Sequence, residues 1–257
     1  MDNEVLTEYL YYPGCTLNTT AARLSLSAKK SAEALGFFLT EVDEWQCCGA
    51  VFPLAGDEVA PKLSCVRVLK KAQERGMPLV TLCSACFHVM KQVNRQAKTD
   101  EAFRETLKRY DSELEYAGGA TVLHYLEVLR DRVGFENIKA KVKKPLSCYR
   151  LGAYYGCMLL RPSEVMEFDD PEDPTIFEDF LRAIGAEAVT YPYRNECCGG
   201  YKVPQKSGEL SKIIMQSSAS RGADSLVTAC PLCEYNLSKH GSVYYFTELL
   251  AKALGVE

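Results

Sequence analysis

The chain has 257 residues, 47% of them hydrophobic, with twelve cysteines and a formal net charge of -4. That length buries a core without crosslinks and accommodates two modules of roughly 100 to 150 residues, so the cysteines are not required as the disulfide framework of a small secreted domain. An acidic balance argues against a general nucleic-acid role, no apolar run reaches the roughly 18 residues of a membrane span, and the acidic start Met1-Asp2-Asn3-Glu4 is unlike a basic secretory signal; the expected setting is cytoplasmic and reducing, with no direct membrane insertion.

Residues 9–12 read as a short aromatic strand ended by Pro13-Gly14, which puts Cys15 where a strand runs into a loop. Residues 19–35 carry helical periodicity and stop at Gly36; residues 37–45 are extended and deliver Cys47-Cys48 into a turn with Gly49. Pro61 opens a helix through Leu63, Val66, Leu69 and Ala72 to Gly76, and residues 78–82 form a buried strand that delivers Cys83. Residues 89–110 are charged and helical, 111–119 connect, 121–124 form a strand, and Leu126 lies in the next helix. Lys139, Lys141, Lys143 and Lys144 coat a linker or a strand edge, with a partner-docking patch as the alternative. The second half is expected to begin with a strand at 146–149. A break follows at Arg161-Pro162, then an exposed acidic loop at 167–173, a helix from Ile176 to Gly185 and a strand through Val189 and Tyr191. A helix at 210–221 and a strand at 226–228 complete it. This alternation predicts an α/β fold of two tandem, homologous, Rossmann-like cysteine-rich domains with mainly parallel sheets, residues 1–143 and 144–257, and ligands gathered at the carboxyl ends of strands.

Ten cysteines fall into a pattern that occurs twice. Cys15, Cys47-Cys48 and Cys83-x-x-Cys86 are answered by Cys157, Cys197-Cys198 and Cys230-x-x-Cys233. The flanks repeat as well: Tyr12-Pro13-Gly14-Cys15 answers Tyr155-Gly156-Cys157, Cys47-Cys48-Gly49 answers Cys197-Cys198-Gly199, and Leu79-Val80-Thr81 answers Leu226-Val227-Thr228. Cys-x-x-Cys alone fits a redox dithiol or half a zinc site. Five thiols per set exceed the four tetrahedral ligands that zinc takes, and adjacent cysteines reach different irons of an extended cluster more readily than one ion. Iron–sulfur ligation is therefore the leading reading for both sets, with zinc at one site as the alternative.

The other candidates each have a bland reading beside the functional one. His88 tunes a site or passes a proton, or is a solvated or core histidine; Lys202 and Lys206 meet an anionic substrate or compensate negative charge, or are loop lysines; Arg161 binds a sulfonate or carboxylate, or packs beside Pro162. Cys65 in a helix and Cys148 in a hydrophobic strand lie outside the repeats and read as small buried residues, with a supporting role at the second site as the alternative for Cys148.

The spacing from Cys15 to Cys86 and from Cys157 to Cys233, with Tyr12-Pro13-Gly14-Cys15, Cys47-Cys48-Gly49, the run from Tyr155 to Pro162 and Cys197-Cys198-Gly199-Gly200, resembles the duplicated cysteine-rich "CCG" domains of the B-type components of heterodisulfide reductase. The resemblance covers nearly the whole chain. It implies two non-cubane [4Fe-4S] clusters, one held by Cys15, Cys47, Cys48, Cys83 and Cys86, the other by Cys157, Cys197, Cys198, Cys230 and Cys233. It further implies reduction of the coenzyme M–coenzyme B mixed disulfide to two thiols, a C-like iron–sulfur component as electron donor, and a flavin-containing A-like component that feeds it. Action on another disulfide or thiol-derived substrate, and electron transfer without catalysis, are the alternatives.

Overall fold

The computed structural model describes residues 8–50, 59, 62–200 and 206–257. The first half runs β1 (Glu8–Tyr11), α1 (Gly14–Leu17), α2 (Ala22–Leu35), β2 (Phe38–Glu41), α3 (Leu63–Glu74), β3 (Leu79–Thr81), α4 (Ser84–Thr99), α5 (Glu101–Tyr110), β4 (Val122–His124), α6 (Tyr125–Glu127), a π-helical turn (Val128–Val133) and α7 (Phe135–Lys141). The second runs β5 (Arg150–Tyr154), α8 (Ser163–Met166), α9 (Ile176–Ala183), β6 (Glu187–Val189), α10 (Ser207–Ser220), β7 (Ser225–Thr228), α11 (Pro231–Leu237), β8 (Val243–Tyr245) and α12 (Phe246–Leu254). Each half holds a four-stranded, all-parallel sheet, in the orders β2-β1-β3-β4 and β6-β5-β7-β8. The second order is the first repeated, so the fold is two tandem Rossmann-like units.

Parallel strands need crossovers, and helices supply them over both faces of each sheet. The strands are accordingly apolar on both sides: Tyr9, Leu10 and Tyr11 of β1, and Leu226 and Val227 of β7, are fully buried. Gly36, at φ +102, closes α2 in the left-handed conformation that a residue with a Cβ resists. At the same end Lys141 Nζ lies 2.9 Å from the carbonyl of Leu35, which gives one lysine of the 139–144 group a capping role on a helix carboxyl terminus.

A single apolar core crosses from one half to the other. The closing helix of each half packs on the first long helix of the other, α12 on α2 and α7 on α9. Where they meet, the Phe246 ring lies 6.1 Å from both Phe177 and Tyr125 and 5.7 Å from His124. Aromatic pairs of this kind contribute about 0.5–1.5 kcal/mol each beyond their area, and here they join the two halves.

Three expectations change. The strand placed at 146–149 lies at Arg150–Tyr154 instead; residues 147–148 form a turn closed by the Tyr149 N–H on the Leu146 carbonyl at 2.9 Å. Gly152 hides the true strand from a propensity reading, yet glycine is needed there because a Cβ would lie 2.8 Å from Leu226 and 2.9 Å from Tyr191. Cys148 is consequently exposed in a turn, neither stranded nor buried. Finally, Val243–Tyr245 is a fourth strand beside β7, where the sequence pattern shows none. Pro61 lies outside the described residues.

His124 ends β4 and caps α6: its Nδ1 accepts from the Leu126 N–H at 3.3 Å, while its own backbone N–H donates to Glu127 Oε2 at 2.6 Å. Burial pushes the Glu127 carboxyl from 4.5 up to about 7. A folded value above the unfolded one means stability fully present below pH 4.5 and lost as pH rises to about 7. Glu127→Gln keeps an oxygen acceptor and removes the titration. In urea unfolding it should gain on the parent by on the order of 3 kcal/mol between pH 4.5 and 7.5; a difference between the two proteins that is constant with pH contradicts this.

Candidate metal centres

Every cysteine of the two repeated sets follows a strand at its carboxyl end. Gly14 and Cys15 open α1 just after β1, and Cys83 and Cys230 stand between β3 and α4 and between β7 and α11 as N-caps of those helices. Each cap is pinned by the strand behind it, since the N–H of Cys83 donates to Thr81 Oγ1 and that of Cys230 to Thr228 Oγ1, both at 3.4 Å. Cys86 and Cys233 then fall in the first helical turn, facing back toward the same place.

The sulfurs gather as the repeats predict. Cys15 and Cys47 approach to 3.6 Å, Cys48 and Cys86 to 3.5 Å, and Cys198 and Cys233 to 3.4 Å, while Cys157 hydrogen-bonds to Cys197. None of the twelve cysteines forms a disulfide. Equivalent sulfurs behave alike: the Cys48 thiol is pulled below its ordinary value by hydrogen bonds from Cys47 and Cys86, and that of Cys198 by one from Cys233. The donors Cys86 and Cys233 are pushed up correspondingly.

The supports are duplicated too. Tyr12 Oη donates to the Gln46 carbonyl and Tyr154 Oη to the Glu196 carbonyl, both at 2.7 Å, so each phenol holds the residue just before a cysteine pair. The equivalent of Tyr12 is therefore Tyr154, one place earlier than the flank comparison has it. Tyr155 turns elsewhere, to Glu178 and the Phe177 N–H. Gly14 adopts φ +71 where a Cβ would sit 2.8 Å from Cys86 Sγ, so only glycine lets the first loop close on the thiols. Backbone N–H groups of Gly49 and Gly199 donate to Cys47 and Cys197 sulfurs at 3.5 and 3.2 Å. Cys65, fully buried on α3, donates to the Cys48 carbonyl at 3.5 Å, and Ser211 on α10 does the same to the Cys198 carbonyl at 3.4 Å. The eleventh cysteine thus stands where the other half uses serine.

The two sets meet at the seam between the halves, where Cys83 and Cys230 hydrogen-bond to one another. Ser84 donates through both its N–H and its hydroxyl to the Ala229 carbonyl, each at 2.9 Å. In return the Leu82 carbonyl accepts Tyr245 Oη at 2.8 Å and His124 Nε2 at 3.0 Å. Because Nδ1 of His124 is an acceptor, Nε2 carries the proton; burial holds the ring's pKa down to about 3, so it acts as a neutral donor. Each carbonyl that precedes a Cys-x-x-Cys is thereby held by a side chain from the opposite half. Pro231, the counterpart of Ser84, has no N–H, and the seam is not symmetric.

A small cavity beside Cys15, Cys48 and Cys86 shares Thr16 and Pro231 with an open groove of about 520 Å³ between the halves. Arg23 on the groove wall is engaged by Glu234 at 2.5 Å and Glu248 at 3.0 Å. Of the other candidates, His88 is half-buried on α4, Arg161 is exposed and paired with Glu172 at 2.7 Å, and Lys206 is exposed at the start of α10. Lys202 lies outside the described residues. Sequence reasoning misses His124, Tyr245, Ser84 and the Tyr12/Tyr154 braces; a position-by-position comparison of the halves would find the braces, but nothing local announces the seam.

Soft thiols, no disulfide and N–H groups aimed at sulfur suit an iron–sulfur core, whose reduction potential such hydrogen bonds set. The sulfurs pair at contact distance, and a cluster would take the place of those contacts. Among the described residues no three His, Cys, Asp or Glu side chains are disposed around a single metal ion.

A family model described as "Cysteine-rich domain", CCG, matches residues 9–91 and again 151–238. A curated relative from Wolinella succinogenes, the membrane anchor component of 8-methylmenaquinol:fumarate reductase, is 31% identical, with 97% of this chain and 93% of that protein aligned. The B component of the ferredoxin/F420H2-dependent CoB-CoM heterodisulfide reductase of Methanosarcina acetivorans is 25% identical over 95% of this chain and 88% of its own. A protein of Archaeoglobus profundus named as similar to that same B component is 26% identical, covering 95% and 88%. A solved hypothetical protein from Helicobacter pylori shares the fold, with a TM-score of 0.74, at 12% identity; 98% of this chain aligns, and it spans about half, 49%, of that protein.

The equivalence of Cys65 and Ser211 gives a direct test. Cys65→Ser should leave metal content and thermal stability at parental levels, whereas Cys65→Val removes the donor and should cost about 1 kcal/mol by chemical denaturation. Loss of metal in the serine variant contradicts the assignment.

Proposed function

Because the chain belongs to the cysteine-rich CCG domain family, in the company of B components of heterodisulfide reductases, we propose that it is the iron–sulfur component of a multi-subunit oxidoreductase and that its paired centres reduce a disulfide. Cys15, Cys47, Cys48, Cys83 and Cys86 hold one non-cubane [4Fe-4S] cluster, and Cys157, Cys197, Cys198, Cys230 and Cys233 the other. The units that carry them are residues 1–143 and 144–257, working in the cytoplasm. Clusters of this kind supply single electrons, and two of them match the two electrons that a disulfide takes up.

The observation that carries the reading is the contact of the two thiol sets across the seam, Cys83 against Cys230, beside a groove open to solvent at the first set. Ser84, Tyr245 and His124 fix the spacing of the two loops. Tyr12 and Tyr154 orient the cysteine pairs, while Gly49 and Gly199 direct N–H groups at their sulfurs. A C-like iron–sulfur protein and a flavin-containing A-like protein are the partners that would deliver electrons.

The groove also bears on the substrate. Arg23 is already bracketed by two carboxylates, so this wall offers no uncompensated cation to a sulfonate or phosphate, and a less anionic disulfide than the coenzyme M–coenzyme B adduct fits it better. A second reading, transfer of electrons between proteins of a complex without a bound substrate, is favoured by the Wolinella relative, named for a quinol:fumarate reductase. That relative is called a membrane anchor, yet here, among the described residues, no helix is long and apolar enough to cross a membrane.

Anaerobic analysis of iron, zinc and acid-labile sulfide, with EPR before and after adding coenzyme M–coenzyme B disulfide or simpler neutral disulfides, tests the proposal. It predicts about eight irons and eight sulfides per chain and a signal that changes with disulfide. Full iron with no response to any disulfide selects the electron-transfer reading, and a chain that takes up only zinc sinks both.

A further inference from the structure

The two thiol sets are built alike, but they differ three positions beyond each Cys-x-x-Cys. In the second half that position is Asn236, 6% exposed, whose Nδ2 donates to Cys198 Sγ at 3.7 Å. Its counterpart is Val89, a half-buried residue packed against the core with no side-chain proton to give. A second difference accompanies the first. Gly200 follows Gly199 where Ala50 follows Gly49, and a Cβ at position 200 would lie 2.5 Å from Asn236 Nδ2. The amide reaches the sulfur only because the loop there lacks a side chain, so the two substitutions form one device present in one half.

Both sets receive a backbone N–H at the first cysteine of the pair, from Gly49 or Gly199, and that contribution is common to the two. Asn236 adds a further donor to the second cysteine of the second pair. An N–H aimed at a ligating sulfur stabilises the more negative state, and hydrogen bonds to sulfur are among the factors that set iron–sulfur potentials. Resting on the iron–sulfur reading above, the structure assigns Asn236 as the residue that makes the second centre the more readily reduced of the two, by donating its side-chain amide to Cys198. Electrons entering the protein then settle on the set formed by Cys157, Cys197, Cys198, Cys230 and Cys233.

Potentiometric titration of the holo chain, followed by EPR with iron and sulfide counted in each sample, tests this. The parent should show two midpoints. Asn236→Val, which installs the first half's residue, should lower the higher midpoint by roughly a tenfold change in reduction equilibrium, about 59 mV for one electron, and leave the lower one in place. The reciprocal pair Ala50→Gly with Val89→Asn should raise the lower midpoint, and it decides the matter if Asn236→Val fails to load iron. Full iron with unmoved midpoints, or movement of the lower midpoint in Asn236→Val, overturns the assignment while leaving the iron–sulfur reading intact. A parent chain that binds no iron overturns both.

Discussion

The contact between the Cys83 and Cys230 loops constrains everything else in this molecule. Two parallel sheets each end in a Cys-x-x-Cys helix start, and the halves are turned so that these two starts abut, with the Ser84 N–H and hydroxyl on the Ala229 carbonyl and the Tyr245 hydroxyl on the Leu82 carbonyl. Those carbonyls are buried among apolar side chains, where an unmet acceptor costs about 1–3 kcal/mol. The seam is thus a place where the halves complete each other's hydrogen bonding. The reciprocal packing of α12 on α2 and of α7 on α9 supplies the apolar surface that keeps water out of it.

Duplication explains most of the detail at the thiols. A phenol braces each cysteine pair, a left-handed glycine lets each first loop close, and a threonine pins each helix start. A buried S–H or O–H also reaches the carbonyl of each second paired cysteine. Departures from the repeat are then informative. Pro231 removes a donor that Ser84 supplies, which makes the seam one-sided, and Asn236 with Gly200 adds a donor that Val89 with Ala50 withholds.

Much of the site was legible in the sequence because ligand spacing is a local and repeated signal. Ten cysteines, the flanking glycines and the strand before each Cys-x-x-Cys could be read from short windows, and the α/β alternation followed from periodicity. What could not be read depended on partners distant in the chain. Gly152 makes β5 look like a poor strand until its neighbours Leu226 and Tyr191 are known, and Val243–Tyr245 looks like the run-in to a helix until it pairs with β7. Tyr245 and Leu82 are 163 positions apart, so no window on the sequence contains their contact. Cys148 shows the opposite error, a local apolar context taken as burial where Pro145 and the turn after Leu146 carry the residue to the surface.

The claim with most resting on it is that the two thiol sets hold a pair of neighbouring redox centres. Pulsed and continuous-wave EPR of the anaerobic, iron-loaded chain, poised so that both centres are paramagnetic, measures their mutual spin coupling. Sets that touch through Cys83 and Cys230 predict two centres with strong mutual splitting that disappears when either five-cysteine set is disabled. Two signals that add without splitting, or a single centre per chain, would contradict the account.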